Sequence, residues 1–204
     1  MGFGWLFIGY FFAYIMSVYE VLSFAMLAGF PMILMGLYKL APSHTAFRSL
    51  FYYSFASLPF ALYFGVYGFS QLTFSEMGGI FVGGFLDAVT WCYFGFSLLF
   101  HALLLYAVAQ LAAELKLFSI QSAAWRNMIL TMLYYLVDLV ARLPFLSAYQ
   151  GYFALPVILL RVITIFLNIY LIYQCYRHIC SEEENNRPAT ENKGKEKKKK
   201  NDET

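Results

Sequence analysis

The chain has 204 residues, of which 61% are hydrophobic and 13% charged, and a formal net charge of +2. An ordinary soluble domain carries about a quarter charged residues, and one core of this size cannot absorb so large an apolar fraction; a conventional soluble fold is therefore excluded and lipid is left as the remaining solvent. The charge is segregated, with seven Lys and Arg against five Asp and Glu before Cys180 and nearly balanced charges beyond it, so no nucleic-acid surface is implied.

A transmembrane helix needs about 20 predominantly apolar residues, and charges and turn formers divide the chain into six such segments. The first two run roughly from Phe3 to Ser17 and from Val21 to Leu40. No Lys or Arg precedes the first and no A-x-A-like cleavage site follows it, so it reads as retained rather than as a secretory signal. The break at Tyr19-Glu20 predicts a tight hairpin. One long kinked helix through Glu20 is the alternative, and it gives five spans with the N-terminus on the opposite side.

The third span, roughly Phe47 to Phe69, contains Pro59, which removes a backbone donor and predicts a kink. The fourth begins near the run Gly78-Gly79-Ile80-Phe81-Val82-Gly83-Gly84 and continues to about Glu114. At 1.5 Å per residue such a helix reaches roughly 45 Å, so its end projects past the hydrocarbon. The fifth covers roughly Trp125 to Leu146 and the sixth roughly Tyr152 to Arg177. Residues 1–180 thus form a polytopic all-α bundle, and the polar segment 181–204, ending in Lys197 to Lys200, reads as a disordered charged tail.

Lys and Arg near span ends mark cytoplasmic loops. Lys39 and Arg48 flank the loop between spans two and three, Lys116 and Arg126 that between four and five, and Arg177 leads into the tail, whereas the alternate connections hold Glu20 and Glu76. With six spans both termini are cytoplasmic. Only Arg142 and Arg161 break the pattern.

An Arg or Asp central in a membrane helix costs on the order of 2.5–3.5 kcal/mol on insertion scales, so such groups face the bundle interior or a wet cavity. On a helical wheel Asn127, Thr131, Tyr134, Asp138 and Arg142 share one face of the fifth span; Asp87, Thr90, Ser97 and His101 share one of the fourth; Arg161, Thr164, Asn168 and Cys175 share one of the sixth. The three stripes are expected to meet. Asp138 and Arg142 have the favourable i, i+4 order for an ion pair, and Asp87 is the candidate partner for Arg161, with Glu20 near the same level. The candidate intramembrane cluster is Asp87, His101, Asp138, Arg142, Arg161 and Asn168, read either as structural ion pairs or as an outward-facing pocket for a small polar or anionic solute.

Gly95-Phe96-Ser97 with His101 at i, i+4 from the serine superficially resembles an intramembrane serine nucleophile, but one helical turn supplies no oxyanion hole. Cys175, His178 and Cys180 cluster at the end of the sixth span, yet Cys175 and Cys180 point about 140° apart on a helix and do not chelate. Together with Cys92 these thiols lack a disulfide framework. No nucleotide, metalloprotease or dinucleotide motif is present, so neither a cofactor nor an enzymatic reaction is expected. The 22 Phe and 17 Tyr exceed what interfacial belts require, so most serve packing. Gly79 with Gly83 and Gly65 with Gly68 are candidates for close helix approach.

The opening Met1-Gly2-Phe3-Gly4-Trp5-Leu6-Phe7-Ile8-Gly9-Tyr10-Phe11-Phe12, the stretch Tyr152-Phe153-Ala154-Leu155-Pro156 through Leu160-Arg161, and the close Leu167-Asn168-Ile169-Tyr170-Leu171-Ile172-Tyr173-Gln174-Cys175-Tyr176-Arg177-His178-Ile179-Cys180 resemble a family of uncharacterised bacterial multi-pass membrane proteins. The resemblance covers about a quarter of the chain and implies a bacterial plasma-membrane location but no activity. The expectation is a small permease-like or solute-sensing protein whose partners are the bilayer and a small polar solute. The competing class is a non-catalytic assembly or scaffold subunit of a membrane complex.

Overall fold

In the computed structural model residues 2–18, 20–73, 84–143 and 150–185 are described, and among them every regular element is helical. Helix α1 (Gly2–Tyr10) continues through a π turn (Phe11–Ile15) and a 3-10 turn (Met16–Val18); a second 3-10 segment (Glu20–Ala25) leads into α2 (Met26–Leu40). Then come α3 (Thr45–Ser54), α4 (Ser57–Thr73), α5 (Gly84–Glu114), α6 (Phe118–Ala141) and α7 (Gln150–Asn185).

Between the segments Met16–Val18 and Glu20–Ala25 the chain reverses direction, as the antiparallel register of α1 and α2 shows, so the two are not one continuous helix. Glycine makes this hairpin tight. A Cβ on Gly9 would lie 2.6 Å from the Ile33 nitrogen and 2.8 Å from the Gly29 oxygen; one on Gly29 would lie 2.6 Å from the Ala13 nitrogen, and one on Gly36 2.7 Å from the Leu6 nitrogen. Positions 2, 6, 9 and 13 therefore face 40, 36, 33 and 29 in antiparallel register, with the four-three-four spacing of a coiled-coil seam. Glycine at the crossing lets the backbones touch. The sequence reading assigned that role to Gly79 and Gly83, which lie outside the described residues, and to Gly65, whose Cβ position meets the Leu27 side chain of α2.

Pro59 acts as expected. Helices α3 and α4 form one apolar unit bent by 42° at Phe55-Ala56. This is the turn where the proline ring meets the carbonyl four residues back and no N–H arrives. Leu58 N–H donates instead to the Phe55 carbonyl at 3.1 Å, while the hydroxyls of Ser54 and Ser57 donate to the Leu50 and Ser54 carbonyls at 2.7 and 2.6 Å. Local hydroxyls thus take up the carbonyl groups that the bend exposes.

The 31 residues of α5 reach ~46 Å at the helical rise. Their far end carries Glu114, whose carboxylate accepts from His44 Nε2 at 3.3 Å. His44 caps α3 by accepting the Ala46 N–H at its Nδ1 (3.0 Å), which fixes the remaining ring hydrogen on Nε2. This contact ties the loop after α2 to the loop after α5, so Lys39, Arg48 and Lys116 stand at one end of the bundle.

Two boundaries differ from the sequence reading. Helix α6 starts at Phe118, seven residues before Trp125, because no breaker follows Leu117 once the chain has turned at Lys116, the one non-glycine residue with positive φ (56°) among the described residues. Helix α7 runs to Asn185, five residues into the predicted tail, since Ser181-Glu182-Glu183-Glu184 suits a solvated helix as well as a coil. The rest of the predicted tail, the Gly78–Gly83 run, Glu76, residues 144–146 of the fifth span and the side chain of Glu20 lie outside the described residues.

Three helices are long and apolar enough to cross a membrane: Leu22–Leu40, Phe85–Glu114 and Gly151–Ile179. Among the described residues the bent α3–α4 pair makes a fourth if it is counted as one span, and Gly2–Ile15 is a shorter apolar helix. Helix α6, though 24 residues long, is not among them because its polar stripe lowers its hydropathy. Against the six predicted segments, the described residues thus offer three spanning helices, or four with the bent pair. Helix α7 is the most apolar of the three, yet only 28% of its apolar stretch is buried, against 61% for α5. Outward-facing Leu155, Ile158, Phe166 and Tyr170 are more than half exposed, the reverse of a water-soluble arrangement.

The hairpin seam can be tested directly. Gly9→Ala is expected to force α1 from α2 and destabilise the protein by ~1–3 kcal/mol, as overpacking does. Gly95→Ala, where a Cβ meets nothing within 4 Å, is expected to be neutral or to gain up to ~1 kcal/mol of helix propensity. Thermal melts of the two detergent-purified variants measure the difference.

Candidate functional site

The polar stripes of α5, α6 and α7 meet, and the first helical unit closes them. Their shared cavity has a volume of about 110 Å³ and extends along the inner faces from Arg142, at the end of α6, to His101, Thr131 and Asn168, near the middle of their helices. Beyond that level the bundle is filled by Leu104, Leu105, Val108, Leu171 and Ile172, each 1% exposed or less. The cavity is therefore open toward one end of the bundle and shut toward the other.

Its shut end is a hydrogen-bonded network drawn from four elements. His101 Nδ1 lies 2.7 Å from the Ser97 carbonyl, which can only accept, so Nδ1 carries the hydrogen. In the neutral ring Nε2 then accepts, and the Tyr10 hydroxyl donates to it at 2.7 Å. The Tyr10 oxygen in turn accepts from Asn168 Nδ2 at 3.3 Å, and the second Nδ2 hydrogen goes to Thr131 Oγ1 at 3.3 Å. Tyr135 OH stands 2.7 Å from Ser97 Oγ and 3.1 Å from His101 Nδ1. The donors and acceptors are thereby ordered, and two atoms remain. Among the described residues the Asn168 Oδ1 has no hydrogen-bond partner and the Tyr14 hydroxyl has only the Ser97 side chain near it, although these residues are only 2% and 6% exposed. Buried polar groups are rarely left so, and each normally costs about 1–3 kcal/mol.

The open end is ionic. Arg142 Nε donates to Asp138 Oδ1 at 3.0 Å, the predicted i, i+4 pair; the acid's side chain is 9% exposed and the guanidinium's 38%. The Arg142 guanidinium also lies 5.3 Å from the Phe94 ring centroid and 5.9 Å from that of Trp91, and it ends α6 where a cation complements the helix dipole. Arg161 lines the same cavity with no acidic partner among the described residues.

Of the six candidate residues, His101, Asp138, Arg142, Arg161 and Asn168 come together and Asp87 does not. Asp87 lies in the first turn of α5, exposed and above the cavity; its predicted pairing with Arg161 is absent, and the free N–H groups of the helix start offer the acid a favourable site of their own. Asn127 leaves its stripe to donate to the Leu167 carbonyl at 2.9 Å. Ser97 Oγ engages Tyr135, not His101, so the serine and histidine form no nucleophile–base pair. Cys175 is buried and His178 exposed on one continuous helix, and the described residues contain no metal-binding group of His, Cys, Asp and Glu. Sequence reasoning missed Tyr10, Tyr14 and Ser17 of the first helical unit, although their 4-3 spacing within an apolar segment marks one polar face.

No protein-family model, curated protein or solved structure matches this chain. The geometry alone bears on function.

Tyr10→Phe is expected to leave His101 Nε2 unpaired and to cost ~1–3 kcal/mol, and Tyr10→Phe with His101→Phe to cost less than the two changes added separately. A double-mutant cycle by thermal denaturation reads this coupling.

Proposed function

We propose that the chain is a multi-pass plasma-membrane protein, crossing the bilayer six times with both termini cytoplasmic, whose cavity binds a small polar or anionic solute in a permease-like or sensory role. The observation that carries this reading is Arg161, a cation lining the cavity with no acidic partner among the described residues, together with the Asn168 carboxamide oxygen, which has no protein partner among them. A purely structural ion-pair cluster needs none of these left over. A cavity of about 110 Å³ is somewhat smaller than the ~150 Å³ site that admits benzene, so an enclosed solute has at most about six heavy atoms. The His44–Glu114 contact supports the topology by joining the Lys39–Arg48 loop to the Lys116 loop at the end opposite Arg142. With those basic loops cytoplasmic, the cavity faces outward. The likeness of the opening and closing segments to bacterial multi-pass proteins supports a bacterial plasma membrane.

Small carboxylates are expected to raise the melting temperature of the detergent-purified protein, and Arg161→Leu to abolish the rise while leaving expression unchanged. Loss of folded Arg161→Leu, with no rise in the parent protein, favours structural pairing instead. For the topology, a single cysteine at Glu76 is expected to react with an impermeant maleimide on intact cells, and one at Lys116 only after lysis. The reverse pattern inverts the assignment.

A further inference from the structure

A groove of about 300 Å³ opens on the outer side of the α6–α7 pair, toward the Lys116 end of the bundle. Its walls are Ser119, Ser122 and Arg126 of α6 with Tyr170 and Gln174 of α7, all but Gln174 exposed; buried Asn127 forms the floor and ties the two helices through its bond to the Leu167 carbonyl at 2.9 Å. No acid lines the groove, and Arg126 has no acidic partner among the described residues. The helix start at Phe118 makes this cation conspicuous. Arg126 stands eight residues, ~12 Å, along α6 instead of beside the loop, whereas a headgroup layer is only ~5–8 Å deep. A helix that begins at the water side therefore carries Arg126 to the upper edge of the acyl region, where an outward cation needs an anion brought to it.

The two helices change character together beyond the groove. Ser119, Ser122 and Arg126 share one face of α6 with Ile129, Leu133 and Leu136, and Gln174 and Tyr170 share one face of α7 with Ile163 and Leu159; all of these apolar residues are exposed. Both faces are polar toward the Lys116 end and apolar away from it, which fits an amphiphile with its head in the groove and its chains along the outward Ile and Leu residues. A soluble anion makes no use of the apolar half. We propose that the groove binds an anionic phospholipid of the leaflet on the Lys116 side, its phosphate held by Arg126 with the Ser119 and Ser122 hydroxyls. The site rests on the bilayer placement proposed above, not on the solute cavity. Ser119 also lies in the first turn of α6, where free N–H groups favour an anion. A headgroup with its own ammonium sets like charge against Arg126, whereas glycerol brings hydroxyls that the Gln174 carboxamide and the Tyr170 hydroxyl can meet as donor or acceptor. The expected lipid is therefore phosphatidylglycerol.

Melting of the full-length protein in detergent micelles doped with phosphatidylglycerol or phosphatidylcholine of the same chain length, at fixed ionic strength, tests the site. Half of the stabilisation is expected at a mole fraction of phosphatidylglycerol about fivefold or more below that of phosphatidylcholine, the difference one basic residue makes at a membrane surface. Arg126→Gln is expected to remove that preference, and Ser122→Ala, a second exposed position that serves if the first variant does not fold, to halve it. Lys39→Gln takes one charge from the same end of the bundle outside the groove and is expected to keep it. Glycerol phosphate, a head without chains, is expected to stabilise nothing at matched concentration. Equal response to the two lipids overturns the site, as does a preference unchanged in the groove variants or lost equally in Lys39→Gln; stabilisation by glycerol phosphate alone makes the groove a soluble-anion site and overturns the lipid. Dispersal of the chain in buffer without detergent removes the bilayer placement and the site with it. The melting rise with small carboxylates, read on the same Arg126→Gln protein, decides the solute cavity separately.

Discussion

An arginine within an apolar helix costs on the order of 2.5–3.5 kcal/mol unless it finds water, an acid or other polar groups, and this chain carries two such arginines on helices whose outer surfaces are apolar. The inner polar stripes of α5, α6 and α7 face the same constraint. The surrounding surface offers Leu155, Ile158 and Phe166, side chains with no hydrogen-bonding group, so the polar stripes are satisfied by turning toward one another. Their convergence on a single cavity follows from that constraint, and so do its two characters. Neutral groups settle their hydrogen bonds at the closed end, and ions gather at the open end, where Arg142 is 38% exposed.

The closed end depends on the α1–α2 hairpin, in which Lys39 is the one charge among the described side chains. Tyr10 reaches His101 because α1 lies against α2 at backbone distance, and it lies there because Gly9, Gly29 and Gly36 present no Cβ. The π turn after Tyr10 carries Tyr14 to the same face, its ring centroid 4.6 Å from those of both Tyr10 and His101. A side chain at any of these glycines moves the hairpin, and with it the donor that holds the imidazole. Packing in one pair of helices thus sets the hydrogen-bond order in the other three.

The two buried asparagines link fold to function most directly. Each uses its amide nitrogen to join α6 to α7 and each leaves its oxygen without a protein partner. The residues that hold the seam together are thus the ones that present an acceptor beside it.

Much of this was legible in the chain itself. Apolar segments near membrane length, Pro59 and the wheel positions of Thr131, Asp138, Ser97, His101, Thr164 and Asn168 depend on local geometry, on the helical period of 3.6 residues and the rise of 1.5 Å. For that reason the helical character, the bend at Phe55-Ala56 and the Asp138–Arg142 pair could be read without a neighbour in view. Which groups meet across helices could not. Asp87 shares a wheel face with His101 yet stands a turn above the cavity, and Tyr10 and Tyr14 look like two more aromatics among 42 until the glycine seam sets their depth. Periodicity gives an angle around one helix axis; the relative height and rotation of two helices depend on contacts between residues far apart in the chain, and those only the tertiary structure decided.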